Sequence, residues 1–381
     1  MTSRLLPSNK SYSLWGKVKS LPFMLIVLIM LIAGMGGIAL YSAGGGDFNQ
    51  WAGKHLIRFA VLFVVMLVIG FVDLKYWYWL SYPLWGAGLI LLLIVEVMGQ
   101  VGMGAQRWVN LGFMNLQPSE LMKIGVIMAM ARYYHDIGSD YLRQYKSLVF
   151  PLLIMALPMG LVMLQPDLGT ALMIGMGGVA VMFLAGVKMR LFIGGIVTLG
   201  AAIPLIYQYV LKEYQRARVD TFLDPSRDPM GAGYHVTQSK IAIGSGGWDG
   251  KGFLEGTQSH LNFLPEKHTD FIFTLWAEEH GFIGGLLIMG IYIATFIFGF
   301  VFAMQAKHAF SRLMILGLTI NLSLYVMINT GMVMGVLPVV GVPLPLISYG
   351  GSAMLAGLIC YGLIICARVY RAQPLPKGEG I

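Results

Sequence analysis

Charge is what this sequence has least of. Asp, Glu, Lys and Arg make up 12% of its 381 residues, about half of the ~25% usual in a soluble domain. That excludes an ordinary water-soluble globule. Cysteine is nearly absent: the only two, Cys360 and Cys366, lie on one apolar segment, where a helix separates them by about 9 Å, too far for a disulfide. No group of His, Cys and Asp has transition-metal spacing, and no Ser-His-Asp arrangement follows from spacing alone. No Lys/Arg-rich helix with interleaved aromatics points to nucleic acid. Internal repeats of roughly 20–50 residues are missing as well.

Hydrophobic residues, at 57%, fill the space charge leaves. Apolar runs of about 20 residues, long enough to cross a bilayer core, recur near 22–41, 56–72, 77–98, 118–134, 148–164, 168–186, 191–211, 271–304, 312–336 and 345–369. The expected fold is an all-α polytopic membrane protein of about ten transmembrane helices. The first run is too long for a signal-peptide core and leads through Ala-Gly-Gly-Gly into another apolar segment, so it reads as a retained span. With both termini cytoplasmic, inner segments hold most Lys and Arg, including Lys17, Lys19, Lys75, Arg132, Arg143, Lys146, Lys188 and Arg190. The short outer loops and their flanks hold Lys54, Arg58, Arg107 and Lys123. This asymmetry is the positive-inside pattern. It accounts for the net charge of +8 through loop topology and anionic membrane lipids. Residues 1–372 form one transmembrane domain, and 373–381 a flexible cytoplasmic tail. The single large extracytoplasmic loop, about 212–269, is too long to lack structure and should fold on the membrane surface.

Ionisable residues concentrate at the outer ends of the spans. In Phe263-Leu-Pro-Glu-Lys-His-Thr-Asp270, a polar segment runs into the apolar 271–304 stretch. Thr269 is a candidate N-cap, which places Asp270 in the first helical turn. Asp270, Thr274 and Glu278 then share a face at spacings of four. Gln117-Pro-Ser-Glu-Leu-Met-Lys123 carries Glu120 and Lys123, spaced to pair. Gln165-Pro-Asp-Leu-Gly169 makes a tight turn around Asp167. Val340-Gly-Val-Pro-Leu-Pro345 and Ser348-Tyr-Gly-Gly-Ser352 break the last hairpin at the same depth, which is tolerated only in protein or against a wet cavity. Each cluster has a structural explanation by itself: an ion pair, a turn cap, helix packing, snorkelling charges. Their shared outer level favours a site. Arg107, Lys123, Arg216, Arg218 and Lys240 can hold phosphate, and a carboxylate beside them suits a general base. Ser245-Gly-Gly-Trp-Asp-Gly-Lys-Gly252 fails as a phosphate-binding P-loop at its first and last positions.

At these motifs the sequence resembles the SEDS family of bacterial cell-wall proteins. The resemblance covers nearly the whole chain. It rests on Gly104-Ala-Gln-Arg-Trp-Val-Asn-Leu-Gly112, Gln117-Pro-Ser-Glu120, Gln165-Pro-Asp-Leu-Gly-Thr170, Phe263–Glu279 and Pro338–Ser352. Gly231-Ala-Gly-Tyr-His235, Gln238–Gly247 and Gly252–Ser259 are similar to its elongation rather than its division members. The resemblance implies a peptidoglycan glycosyltransferase that polymerises lipid II on the outer face of the bacterial cytoplasmic membrane, supporting elongation and rod shape. Its implied partner is a class B penicillin-binding protein, beside lipid II, undecaprenyl-linked glycan and membrane lipids. The family's essential Asp matches Asp270, the acid and base of its fourth span match Glu120 and Lys123, and its short-turn Asp matches Asp167. The expected site is therefore Asp270 as catalytic base, with Arg107, Glu120, Lys123, Asp167, Arg218, Lys240, Glu266, His268 and Ser348 binding substrate. A divalent cation, Mg or Mn, can join Asp270 or Glu120, since hard cations take oxygen ligands beside phosphates. A lipid II flippase and a non-catalytic scaffold for the penicillin-binding protein are the alternative functions.

Overall fold

A computed structural model describes residues 14–98, 100–102, 105–110, 115–137, 144–228, 231–261, 263–264 and 266–376. The apolar runs form long helices: α1 (Phe23–Ala43), α2 (Gly53–Phe71), α3 (Leu74–Met98), α4 (Pro118–Asp136), α5 (Val149–Leu164), α6 (Leu168–Leu184) and α7 (Met189–Leu205). Two shorter helices, α8 (Glu213–Leu223) and α9 (Ala232–Ser245), fall inside the long loop. The chain closes with α10 (Ile272–Met304), α11 (Ala309–Val333) and α12 (Gly351–Val369). Eight helical segments are long and apolar enough to cross a membrane among the described residues. The chain is a multi-pass membrane protein. Ten of these helices coincide with the expected spans. The two outside the group of eight differ for separate reasons: α6 is short at 17 residues, and α4 carries Glu120, Lys123, Arg132 and Asp136.

The most polar span is the most central. α4 packs against α3, α5, α6, α11 and α12, and its residues from Met122 to Ala131 are buried. Polar side chains on it are shielded from lipid by other helices, which is where a membrane protein can carry them. α7 is the opposite case. None of its residues is buried, and it touches the bundle through Phe192 against Phe183. Before α4, a small antiparallel sheet joins Gln100–Gly102, Ala105–Asn110 and Asn115–Leu116.

α10 contains a break that the sequence concealed. Gly281 has φ 62° and ψ −161°, a conformation confined to glycine. A Cβ there would lie 2.4 Å from the Gly250 nitrogen. The break frees backbone groups, and the glycine-rich 247–252 loop satisfies them. Lys251 and Gly252 N–H donate to Glu278 and Glu279 carbonyls at 3.0 and 3.1 Å. Phe282 and Ile283 N–H donate to Gly247 and Trp248 carbonyls at 2.9 and 3.2 Å. The failed P-loop motif is thus a clamp on a broken helix.

The last span also begins later than its hydropathy. Helix α12 starts at Gly351, while 335–350 forms an irregular segment whose Val342, Leu344, Leu346, Ile347 and Ser348 are nevertheless buried. At the other end, residues 373–376 are docked rather than loose. His308 bonds the Gln373 carbonyl at 3.0 Å, His135 the Pro376 carbonyl at 3.2 Å, and Leu375 is buried. The rest of the expected flexible tail, 377–381, lies outside the described residues.

Candidate active site

Asp270 does not sit in the first turn of α10. The helix starts at Ile272 with Phe271 before it, and Thr269 does not cap it. Instead Thr269 Oγ1 donates to Glu266 Oε2 at 2.7 Å, closing a turn in which Thr269 and Phe271 N–H both reach the Glu266 carbonyl. Backbone turn chemistry therefore took the residue that sequence spacing assigned to the cap. The turn is fastened from two sides. Asn329 Nδ2, on α11, donates to the Asp270 carbonyl at 2.8 Å and to the Val342 carbonyl at 2.7 Å. Ser348 Oγ donates to the Thr269 carbonyl at 2.7 Å while accepting from Leu344 N–H at 2.8 Å. Ser348 is thus a buried clamp between the broken hairpin and the Asp270 turn.

No hydrogen bond or ion pair reaches the Asp270 carboxylate among the described residues. A Cβ on Gly341, which has φ 71°, would lie 3.3 Å from Oδ2. Glycine there keeps the carboxylate uncrowded. Burial away from water pushes the acid up from 3.8 to about 6, the Glu266 charge adds to this, and Arg218 opposes it. Arg218 and Lys240 line a nearby cleft with Thr221, Val236, Gly335 and Pro338. Neither cation has an acidic partner among the described residues. His268 stacks on Trp51 at 4.5 Å and an interplanar angle of 5°. Burial holds the His268 imidazole below its ordinary value against the Glu266 charge.

The remaining candidates lie away from the cleft. Glu120 and Lys123 pair at 2.8 Å, each side chain under a tenth exposed. Tyr325 donates its hydroxyl to Glu120, and the Lys123 ammonium lies 4.1 Å from the centre of that ring. Tyr325 packs with Val342, so the pair sits one side-chain layer from the Asp270 turn. Asp167 caps α6, accepting from Thr170 N–H at 3.1 Å and Thr170 Oγ1 at 2.9 Å. Arg107 lies 3.5 Å from Asp167 and also bonds the Gln165 and Pro166 carbonyls. These four charges are already occupied with one another. Asn329 and Tyr325 escaped the sequence reading. Their signal was present: Asn321, Tyr325 and Asn329 recur at spacings of four on an apolar span, a polar stripe turned into the bundle.

Glu278 and Glu279 fasten the long loop rather than extend the Asp270 face. Glu278 accepts from Lys251 Nζ at 2.8 Å, Gln258 N–H at 2.8 Å and Ser259 Oγ at 2.8 Å. Glu279 takes the Ser42 hydroxyl and His260 at 3.1 Å. Thr274 Oγ1 meets Ser239 Oγ at 2.7 Å, tying α10 to α9. The three residues share a sequence spacing but not a task.

The Cell cycle protein family of FtsW, RodA and SpoVE matches residues 20–373. The chain belongs to that family. Among its relatives, the peptidoglycan glycosyltransferase MrdB of Escherichia coli K12 is 42% identical over 367 residues, covering 96% of this chain and 97% of its own. The MrdB of Helicobacter pylori is 34% identical, with 92% and 90% covered. The rod shape determining protein RodA of Thermus thermophilus has the same fold, with a TM-score of 0.70, 28% identity, and 93% and 98% of the two chains covered. A chain from a peptidoglycan synthase complex, solved for its coordination of polymerization and crosslinking, gives a TM-score of 0.80 at 32% identity, with 93% and 99% covered. Likeness to FtsW/RodA proteins therefore extends from the first span to the last. Within this family member, the Asp270 carboxylate and the Arg218 and Lys240 cations have no ion-pair partner among the described residues, and Arg218 lies near enough to act on Asp270.

Proposed function

We propose that this chain is a peptidoglycan glycosyltransferase that polymerises lipid II, with Asp270 as general base. The observation that carries the assignment is the Asp270 carboxylate, free of hydrogen bonds and ion pairs among the described residues, beside a cleft holding Arg218 and Lys240. The acceptor is a GlcNAc 4-hydroxyl of lipid II. The donor is the growing glycan, carried on undecaprenyl pyrophosphate. Asp270 takes the hydroxyl proton as the oxygen attacks the MurNAc anomeric carbon. That carbon's bond to the pyrophosphate oxygen breaks, and Arg218 and Lys240 receive the negative charge. A value of about 6 leaves the acid largely ionised at neutral pH yet a stronger base than an exposed Asp. With one base and no second carboxylate placed as nucleophile among the described residues, displacement is direct and inverts the anomeric centre.

Asp270, with Glu266 beside it, would hold Mg or Mn, and the ion would supply positive charge for the departing pyrophosphate. Among the described residues no group of three or more acidic, His or Cys side chains could form a metal site by itself. The site faces outward from the bacterial cytoplasmic membrane, both termini are cytoplasmic, and a class B penicillin-binding protein supplies the crosslinking. The Lys/Arg asymmetry supports that orientation. An impermeant thiol reagent should label Ser226→Cys and not Ser139→Cys in cells lacking Cys360 and Cys366.

Labelled lipid II and the purified complex test the chemistry. Wild type should give long glycan chains, and Asp270→Asn none, with partner binding intact. Wild-type polymer from Asp270→Asn would remove Asp270 from the reaction and favour a transporter or scaffold.

A further inference from the structure

On another flank of the Asp270 turn, a layer of rings ends in cations that no described residue neutralises. Trp51 stacks on His268 at 4.5 Å. His268 leans on Tyr349 at 6.2 Å, and the Tyr349 N–H donates to the His268 carbonyl at 2.9 Å. The Arg58 guanidinium lies over the Tyr349 ring, 4.8 Å from its centre. Lys54 stands one turn earlier on α2, exposed, on the same face. Neither Lys54 nor Arg58 has a hydrogen bond or ion pair among the described residues. Asp47, on the approach to α2, is engaged in accepting from Asn49 N–H at 2.8 Å. A cation stacked on a ring keeps most of its donors for an outside acceptor.

The proposed reaction brings together two lipid-linked substrates, and each carries a pyrophosphate dianion. Arg218 and Lys240 offset one such group. Held within the same cleft, a second dianion would meet the first without further cations, a repulsion that a water-poor site magnifies. Resting on the proposed glycosyltransferase reading, we infer that Lys54 and Arg58 bind the pyrophosphate of the acceptor lipid II, with the Trp51–His268–Tyr349 layer against its sugars. Ring faces suit the C–H face of a pyranose. His268 is two residues from Asp270, which places this layer beside the proposed base. The Arg218–Lys240 cleft is left to the donor's leaving group.

The test uses the full chain in phosphatidylcholine nanodiscs, with Asp270→Asn to stop turnover and fluorescent lipid II as probe. Two lipid II molecules should bind each chain. Lys54→Met with Arg58→Met should abolish one of these sites, or weaken it by about tenfold or more, as for loss of a charge-assisted contact of roughly 1.5–3 kcal/mol. Arg218→Met with Lys240→Met should remove the other, and unchanged melting will show that both variants are folded. Unchanged stoichiometry and affinity in the Lys54/Arg58 variant overturn the inference while leaving the glycosyltransferase reading in place. So does displacement of the second lipid II by an equal mole fraction of phosphatidylglycerol, which would mark an unselective headgroup site. Absence of lipid II binding in every chain overturns both readings together.

Discussion

Glu120 and Asp270 are both acids taken largely out of water, and the protein treats them oppositely. Glu120 has an ammonium at 2.8 Å and a phenol on its other oxygen. Asp270 has its backbone anchored by Asn329 and its carboxylate left without a direct partner among the described residues. The first arrangement removes the cost of a buried charge and with it any freedom to react. The second retains that cost, which appears as a carboxyl pushed up to about 6. The two acids belong to neighbouring parts of the fold: Tyr325 and Val342 share one buried cluster, and Asn329 ties the Val342 carbonyl to that of Asp270. Proximity to the site does not tell them apart; occupancy of the carboxylate does.

The widest gap between the two should open on removing charge. Asp270→Asn is expected to slow polymerisation by about 10²–10⁴-fold, the usual value of a general base, with the complex still assembled. Glu120→Gln should act through stability: it strands Lys123 in the interior, at roughly 3–5 kcal/mol, read as a lowered melting temperature and a smaller folded yield. Glu120→Gln with Lys123→Met should recover much of that loss and the activity with it. A double variant that is well folded yet inactive would return Lys123 to the pyrophosphate clamp.

Acidity separates the pair next. The rate should rise with pH and reach half its plateau near pH 6, where Asp270 ionises. Stability runs the other way. An acid whose folded value lies above its unfolded one favours the folded state most at pH below 3.8, and this contribution is lost as pH rises through about 6. Asp270→Asn should therefore melt higher than wild type at pH 8 and lose that advantage near pH 4. The smallest effects are displacements of the acid limb of the rate profile. Glu266→Gln should move it to lower pH and Arg218→Met to higher pH, because these charges act on Asp270 in opposite directions. Shifts of the same sign would show that the two residues act through structure instead.

Gly281 and Ser348 show where reading residues in order stops. The 271–304 run looked like one long helix because hydropathy is blind to a single backbone angle. The break became visible only once Gly250 and the Glu279 carbonyl were seen in contact. Ser348 was expected to meet substrate, since a hydroxyl in a broken hairpin can do so. Its bonds to Thr269 and Leu344 depend on two segments nearly 80 residues apart. Asp270, by contrast, could be singled out in advance, because an acid at the mouth of a membrane helix is too costly to be filler.

What the sequence determined by itself were the spans, the class and the ionisable groups worth attention. Each follows from local composition: bilayer thickness sets the length of an apolar run, and the expense of charge in lipid marks the exceptions. What only the tertiary structure decided was which of those groups are already satisfied. Arg107, Asp167, Glu120 and Lys123 find partners, whereas the side chains of Asp270, Arg218 and Lys240 have none among the described residues. Pairing depends on distances of about 3 Å between distant parts of the chain, and residue order alone does not carry them.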